Sequence, residues 1–482
     1  MASRPGQRDL TVGPIGPTLL AFAVPTLASS MLQSLNGSIN AIWVGRFLGE
    51  GALAATSNAN MVMFLLMAFV FGFGMAATVL IGQAFGRRDI DGVRRVIGTA
   101  IGAFVPFAAA IGLLGWIFAP ALLHLLATPP ESAPLALAYL RVIFLAMPPI
   151  MIVIILTMGL RGTGDATTPL WFMIVAVVLD SCLNPVFILG LGPAPEMGIA
   201  GSATATVIAN YAALTGILIY VYARDLPIRL RGKELRYLRP QRELLKTIVG
   251  KGLPIGLQMI VISGSALATM GLVNREGVDT TAGFGVALQL WTYIQMPAMA
   301  LGAAASAMAA QNIGAGRWDR VSAITRSGII YNLVITGLLV ALLAIADRPA
   351  LALFLGGDSP ALPIARHIQI LATWSFLLFG VTMILFGTVR ANGAVLGPLI
   401  ILAIGLVPVR LGFALGAYPW LGADALWLSF PVSSAVNMVL AAAFYLHGGW
   451  RKIRMDIPPP RAELAEEAQA DCEPGGRLNP SG

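Results

Sequence analysis

Apolar residues run along this chain in stretches of about 20 or more, broken by short polar segments. Each stretch is long enough for a helix to cross a bilayer. The pattern predicts twelve spans, at roughly 18–44, 52–80, 96–119, 135–160, 168–191, 199–223, 248–273, 280–306, 327–347, 362–388, 396–417 and 424–447. The first run starts near Pro17 without a short apolar core and small-residue cleavage site, so it reads as a retained helix. From about Pro458 the chain is rich in Pro, Gly and acids and has no apolar face, which predicts disorder.

Composition supports a membrane protein. Of 482 residues 57% are hydrophobic and 11% charged, and the mean hydropathy is +0.80. A soluble domain cannot cover so much apolar surface with so few charges. The net charge of +8 does not point to nucleic acid. Lys and Arg fall in short segments instead: Arg4 and Arg8, 87–95, 224–246, 317–326 and 451–454. With twelve spans all of these lie on one side, and the other side has little beyond Arg46, Arg275 and Arg348. That asymmetry places both termini in the cytoplasm of a multi-pass cell-membrane (inner-membrane) protein. Cys182 lies in a span and Cys472 in the tail, so no disulfide is expected, and no metal-ligand spacing appears.

The halves echo each other. Gln83 aligns on Gln311, Gly86 on Gly314 and Asp91 on Asp319. A nearly constant shift also carries Pro25 onto Pro254, Arg161 onto Arg390, Gly164 onto Gly393 and Pro169 onto Pro398. Six spans per half insert with the same orientation. The prediction is an all-α membrane protein of two six-helix lobes, related by a pseudo-two-fold axis along the membrane normal. Its parts are a cytoplasmic N-terminus (1–16), an N-lobe (17–223), a basic linker (224–247), a C-lobe (248–447) and a tail (448–482).

Polar residues inside the spans are the candidates for function. Asp180, in "VVLDSCLNPVF", is a carboxylate in the fifth span, and Asn184 follows one turn later on the same helix face. A carboxylate at mid-helix costs about 2.5–3.5 kcal/mol to insert and usually has a task. An apolar setting favours the proton-bearing form of such a group. An oxygen-rich cluster around it could equally bind sodium. Arg410 is the other charge within a span. It is expected to face a cavity, pair with a carboxylate or snorkel outward. Gln33, Asn58, Gln258, Gln289 and Asn437 are candidates to line a route between lobes or to bond helices together. Trp291, Tyr293, Met296 and Met299 form an adaptable aromatic and Met surface suited to varied ligands, or simply pack the bundle. Arg161 and Arg390 read as anchors, and His124 and His367 as surface groups near the outer ends of spans.

Several stretches resemble the multidrug and toxic compound extrusion (MATE) transporters. They are "NGSINAIWVGRFLGEGALAA" (36–55), "GLRGTGDATTPL" (159–170), "LDSCLNPVFILGLG", "GIAGSATAT" (198–206), and "GQAFGRRD" with its echo "AQNIGAG". The resemblance covers about residues 15–450 in order. It implies an antiporter that expels amphipathic, cationic compounds by alternating access, driven by protons or sodium as coupling ion, with no cofactor and no enzymatic step. Its implied partners are a small drug or metabolite and membrane lipid, not nucleic acid, and the chain is read as a monomer. It also brings Asn40 and Thr206 near Asp180. Two departures stand out. Asn40 occupies a place where the family usually has an acid, and Asp180 and Asn184 stand in exchanged positions. A flippase for a lipid-linked precursor is the alternative, but it would want several cations in its cavity, and Arg410 is the only clear one deep in a span. A membrane enzyme would need paired aspartates or a nucleophile with its base, and no span supplies either.

Overall fold

The computed structural model describes residues 9–125, 130, 132–192, 194–453, 455 and 457. Only backbone is described at 50, 53–55, 57–59, 61–62, 65 and 125. The N-terminal eight residues, the tail from Pro458 and Cys472 therefore lie outside it.

Twelve long helical segments make up the bundle among the described residues. A continuous run, Ile15–Gly86, is divided at Gly49, where φ is 83°. This gives α1 (Ile15–Gly49) and α2, whose spanning part is Leu66–Gly86. Then follow α3 (Ile90–Leu125), α4 (Ala133–Leu145 and Met147–Gly162, bent by 50°), α5 (Thr167–Leu189) and α6 (Ile199–Ala223). After the linker come α7 (Arg242–Val273), α8 (Val278–Gly314) and α9 (Trp318–Ile345). The last three are α10 (Ala361–Arg390, through a tight turn at Thr373–Ser375), α11 (Leu396–Gly416) and α12 (Asp424–His447).

Ten helices among the described residues are long and apolar enough to cross a membrane, and the bent α4 makes eleven. The twelfth, α8, is less apolar, because Gln, Thr, Tyr and Ser interrupt it and small Ala and Gly stand where the other helices carry Leu and Ile. Its burial explains the composition: from Pro297 to Asn312 every residue but Met299 and Ala303 is buried. A helix that faces protein rather than lipid has no need of bulky apolar side chains.

The repeat is visible in the backbone. Left-handed turns recur at Gly49 and Gly277, at Arg88 and Gly316, and at Gly164 and Gly393. The lobes meet through the same pair of positions used twice. Gln83 Nε2 donates to the Ala391 carbonyl (2.7 Å), and Gln311 Nε2 donates to the Gly162 carbonyl (2.9 Å). Gly86 packs against the Gln311 backbone, and Gly314 packs against that of Gln83.

The basic segments gather at this same end. Leu10 is fully buried, its N–H donates to Gln311 Oε1 (3.1 Å), and its carbonyl accepts from Asn312 Nδ2 (3.0 Å). The linker straps across α3: Tyr237 sits in a notch left by Gly98 and its hydroxyl donates to Asp91, while Arg95 donates to Gln241 (2.7 Å). Burial, and next the Asp91 carboxylate, push the Tyr237 hydroxyl above its ordinary range.

A methyl group at Gly86 would overlap the Gln311 carbonyl oxygen, whereas one at Gly264 meets nothing. Gly86→Ala is therefore expected to lose about 1–3 kcal/mol. Gly264→Ala should be neutral or gain up to about 1 kcal/mol. Thermal unfolding of the purified protein in detergent checks both.

Candidate functional site

The approach to the site begins at the turn before α5. In "GLRGTGDATTPL", Gly164 takes φ 89° and turns the chain. Asp165 then caps the new helix. Its Oδ1 accepts from the N–H groups of Thr167 (3.1 Å) and Thr168 (2.9 Å), and its Oδ2 from the Thr168 hydroxyl (2.6 Å). These are donors that the first turn of a helix otherwise leaves unpaired. Burial pushes the Asp165 carboxyl up, against the hydrogen bonds from Thr168 and Thr167. Asp165 thus aims α5, and Asp180 lies farther along that helix.

Asp180 is buried and four side chains donate to it. Asn36 Nδ2 (3.0 Å) and Asn40 Nδ2 (3.1 Å) reach Oδ2, while Thr206 Oγ1 (3.1 Å) and Asn184 Nδ2 (3.2 Å) reach Oδ1. Asn184 Nδ2 also donates to Asn40 Oδ1 (2.6 Å) and to the Asp180 carbonyl (2.9 Å). The four residues proposed from sequence, Asp180, Asn184, Asn40 and Thr206, therefore form one cluster. Sequence reasoning missed Asn36. The signal was available: Asn36 and Asn40 are spaced i, i+4 on α1, as Asp180 and Asn184 are on α5, so two polar ladders face each other. Two buried acceptors of the cluster, Asn36 Oδ1 and Asn184 Oδ1, have no donor among the described residues.

The cluster forms one wall of a cavity of about 490 Å³ between α1, α2, α4, α5 and α6. Gln33, Asn60, Tyr139, Thr157, Ser202 and Asn210 add polar groups, and Met63, Met67, Ile150 and Phe172 add apolar surface. Asp180 is the only charged residue among those lining it. A mostly apolar chamber with a few convergent polar groups is the usual form of a small-molecule site.

The other candidates scatter. Gln33 lines the cavity, and the Asn58 side chain lies outside the described residues. Gln258 is buried and donates to the Val395 carbonyl (3.4 Å), so it bonds α7 to the start of α11 rather than lining a route. Trp291 needs a similar correction. Its side chain is fully buried, and Nε1 donates to Gln369 (3.0 Å) and Thr373 (2.8 Å) of α10. It is core, packed among Phe284, Phe376 and Phe430. Gln289 and Tyr293 sit on the open side of α8, bonded to each other at 3.3 Å, with Met296 partly exposed nearby. Asn437 is buried on α12 against Gly405. Arg410 has no carboxylate partner among the described residues; its Nε donates to Ser433 Oγ (3.1 Å) and its guanidinium lies over the Phe430 ring. His367 pairs with Asp424 at the surface.

Long apolar helices in two repeated lobes, with a polar-floored chamber inside the N-lobe, are the architecture of a multi-pass membrane transporter. The MatE family model matches twice, at residues 25–186 and 254–415, and the chain belongs to that family. Two relatives from Bacillus subtilis are probable multidrug resistance proteins. YoeA is 37% identical over 88% of this chain and 92% of its own length, and YpnP is 30% identical over 93% and 98%. An FAD transporter of Shewanella oneidensis is 26% identical over 91% and 95%. Among solved structures, MATE in the bent conformation superposes with a TM-score of 0.83 at 22% identity, over 97% of this chain and 100% of that one.

Replacing Asp165 by Ala removes the cap on α5. The expected loss is about 1 kcal/mol of stability, read by thermal unfolding of purified protein, with Asp165→Asn milder.

Proposed function

We propose that this protein is a secondary active antiporter that exports amphipathic compounds in exchange for protons or sodium, with Asp180 as the coupling carboxylate. One observation carries the reading: the chamber between α1, α2, α4, α5 and α6 holds a single charge, and that charge is negative. Such a chamber can hold one cation at a time without paying heavily for desolvation. A proton, a sodium ion or the cationic end of a substrate would compete for Asp180, and competition for one site is the simplest coupling between two fluxes.

Neighbouring atoms suit each occupant. The oxygens of Asn36 and Asn184 that lack donors, with Thr206 Oγ1 and the carboxylate, could supply the oxygen shell that a hard cation needs. A proton needs only the carboxylate. The mixed Met, Phe and Asn walls suit ligands of varied shape. Rocking of the lobes about the Gln83 and Gln311 contacts would open the chamber to alternate sides. The gathering of basic segments at one end supports a cytoplasmic position for both termini in the cell membrane. Relatives named for multidrug resistance support a broad cargo, while the relative named an FAD transporter indicates that membership alone does not set cargo charge.

The test is transport of ethidium by inside-out membrane vesicles under a pure pH gradient or a pure sodium gradient. Wild type is expected to respond to one of the two gradients. Asp180→Asn is expected to fall to the level of vesicles lacking the protein. Full gradient-driven transport by Asp180→Asn would overturn the assignment.

A further inference from the structure

The repeat permits a direct comparison of the two lobe centres, and they carry opposite charge. The two family matches begin at Pro25 and Pro254, which places the counterpart of Asp180 at Val409, the last residue of a π turn spanning Gly405–Val409. A π turn holds one residue more than an α turn, so the register beyond it advances by one. Arg410 is then the helical counterpart of Asp180.

The surroundings correspond as well. In the N-lobe, α1 offers Asn36 and Asn40 and α6 offers Thr206 to the carboxylate. In the C-lobe the same shift converts Asn36 to Ser265 and Asn40 to Thr269 on α7, and α12, the counterpart of α6, offers Ser433. Ser265, Thr269 and Ser433 are all buried. Positions that carry amides bonded to the carboxylate in the N-lobe carry hydroxyls in the C-lobe, and of the three C-lobe hydroxyls Ser433 bonds the Arg410 guanidinium. Ser265 Oγ donates to the Leu406 carbonyl (2.9 Å), which holds the π turn open beside Pro408.

Among the described residues no carboxylate pairs with Arg410. The acids of α7–α12 and their loops are Glu243, Glu276, Asp279, Asp319, Asp347, Asp358 and Asp424. All lie at helix ends or in loops, and three are engaged elsewhere: Glu276 with Tyr418, Asp347 with Arg366, Asp424 with His367. Arg410 Nε is used by Ser433 and one guanidinium face by Phe430, yet the residue stays partly exposed. A cation at this depth is costly unless an anion meets it, and a guanidinium edge matches a carboxylate or phosphate.

We propose that Arg410 is the centre of an anion site in the C-lobe that takes the carboxylate or phosphate of an amphipathic substrate. The substrate class becomes amphiphiles that carry an anionic group, with a cationic group, where present, directed to Asp180. This rests on the transporter reading above, and the experiment separates the two.

Fluorescein and rhodamine 6G share a xanthene skeleton but differ in charge. Both are titrated by fluorescence anisotropy against the purified full chain in detergent. Fluorescein is expected to bind wild type and to bind Arg410→Gln at least about tenfold more weakly. Arg410→Lys should recover part of that loss, because it keeps the charge and loses the fork. Rhodamine 6G binding should weaken in Asp180→Asn and not in Arg410→Gln. Equal fluorescein affinity in wild type and Arg410→Gln would overturn the proposal, as would no fluorescein binding to wild type. Displacement of fluorescein by inorganic phosphate at equal concentration would also overturn it, showing a site for free anions. If Arg410→Gln does not fold, Arg410→Lys and the phosphate competition on wild type decide it. Binding in detergent does not depend on transport, so absence of gradient-driven efflux in vesicles would refute the antiporter while leaving the Arg410 result standing.

Discussion

A carboxylate inside a membrane span must find its donors among neighbouring helices, because lipid supplies none. Here that requirement binds α1, α5 and α6 together. Asp180 draws Asn36 and Asn40 from one side and Thr206 from the other, and Asn184 closes the ring from its own helix. The cluster fixes how these helices face each other and gives the chamber its single charge. In the proposed function, packing and transport depend on the same atoms. Any ion or substrate that binds Asp180 must displace or reorder donors that also hold three helices in place, which offers a physical route from occupancy to helix movement.

The second constraint is the joint between lobes. Gln83 and Gln311 each donate to a backbone carbonyl in the opposite lobe, at positions related by the repeat. Gly86 and Gly314 allow the backbones to approach closely enough for these bonds. Leu10 then seals one side of the joint through Gln311 and Asn312. Bonds between side-chain amides and carbonyls are each modest in net strength. A joint made of a few of them can break and reform without either lobe unfolding, as a rocking transporter requires.

Much of this was legible in the sequence because membrane helices obey simple rules. Span length, the sorting of Arg and Lys, and the constant shift between halves predicted twelve helices in two lobes, and the turns at Gly164 and Gly393 bear that shift out. The site was legible in part. Asp180, Asn184, Asn40 and Thr206 meet as expected, because one polar residue in a span demands others. Asn36 was readable from its i, i+4 spacing with Asn40 and was overlooked. For Trp291 the pattern leaves ligand surface and bundle packing both open, because helical position does not tell a cleft from a core, and the packing of Phe284, Phe376 and Phe430 shows that it is core. The register of Arg410 could not be read at all. It depends on a π turn at Pro408, and an added residue within a helix leaves no mark in the apolar pattern. The strap of Tyr237 across Gly98 was likewise hidden, since contacts distant in sequence leave no periodic trace.

The central claim is that one carboxylate exchanges an ion for substrate. Ion release on substrate addition tests it directly, with purified protein in weakly buffered, low-sodium solution and with proton and sodium release recorded together. The account predicts release of a single kind of ion, in proportion to substrate bound, and none from Asp180→Asn. Substrate binding with no ion released by the wild type, or with undiminished release by Asp180→Asn, would contradict it.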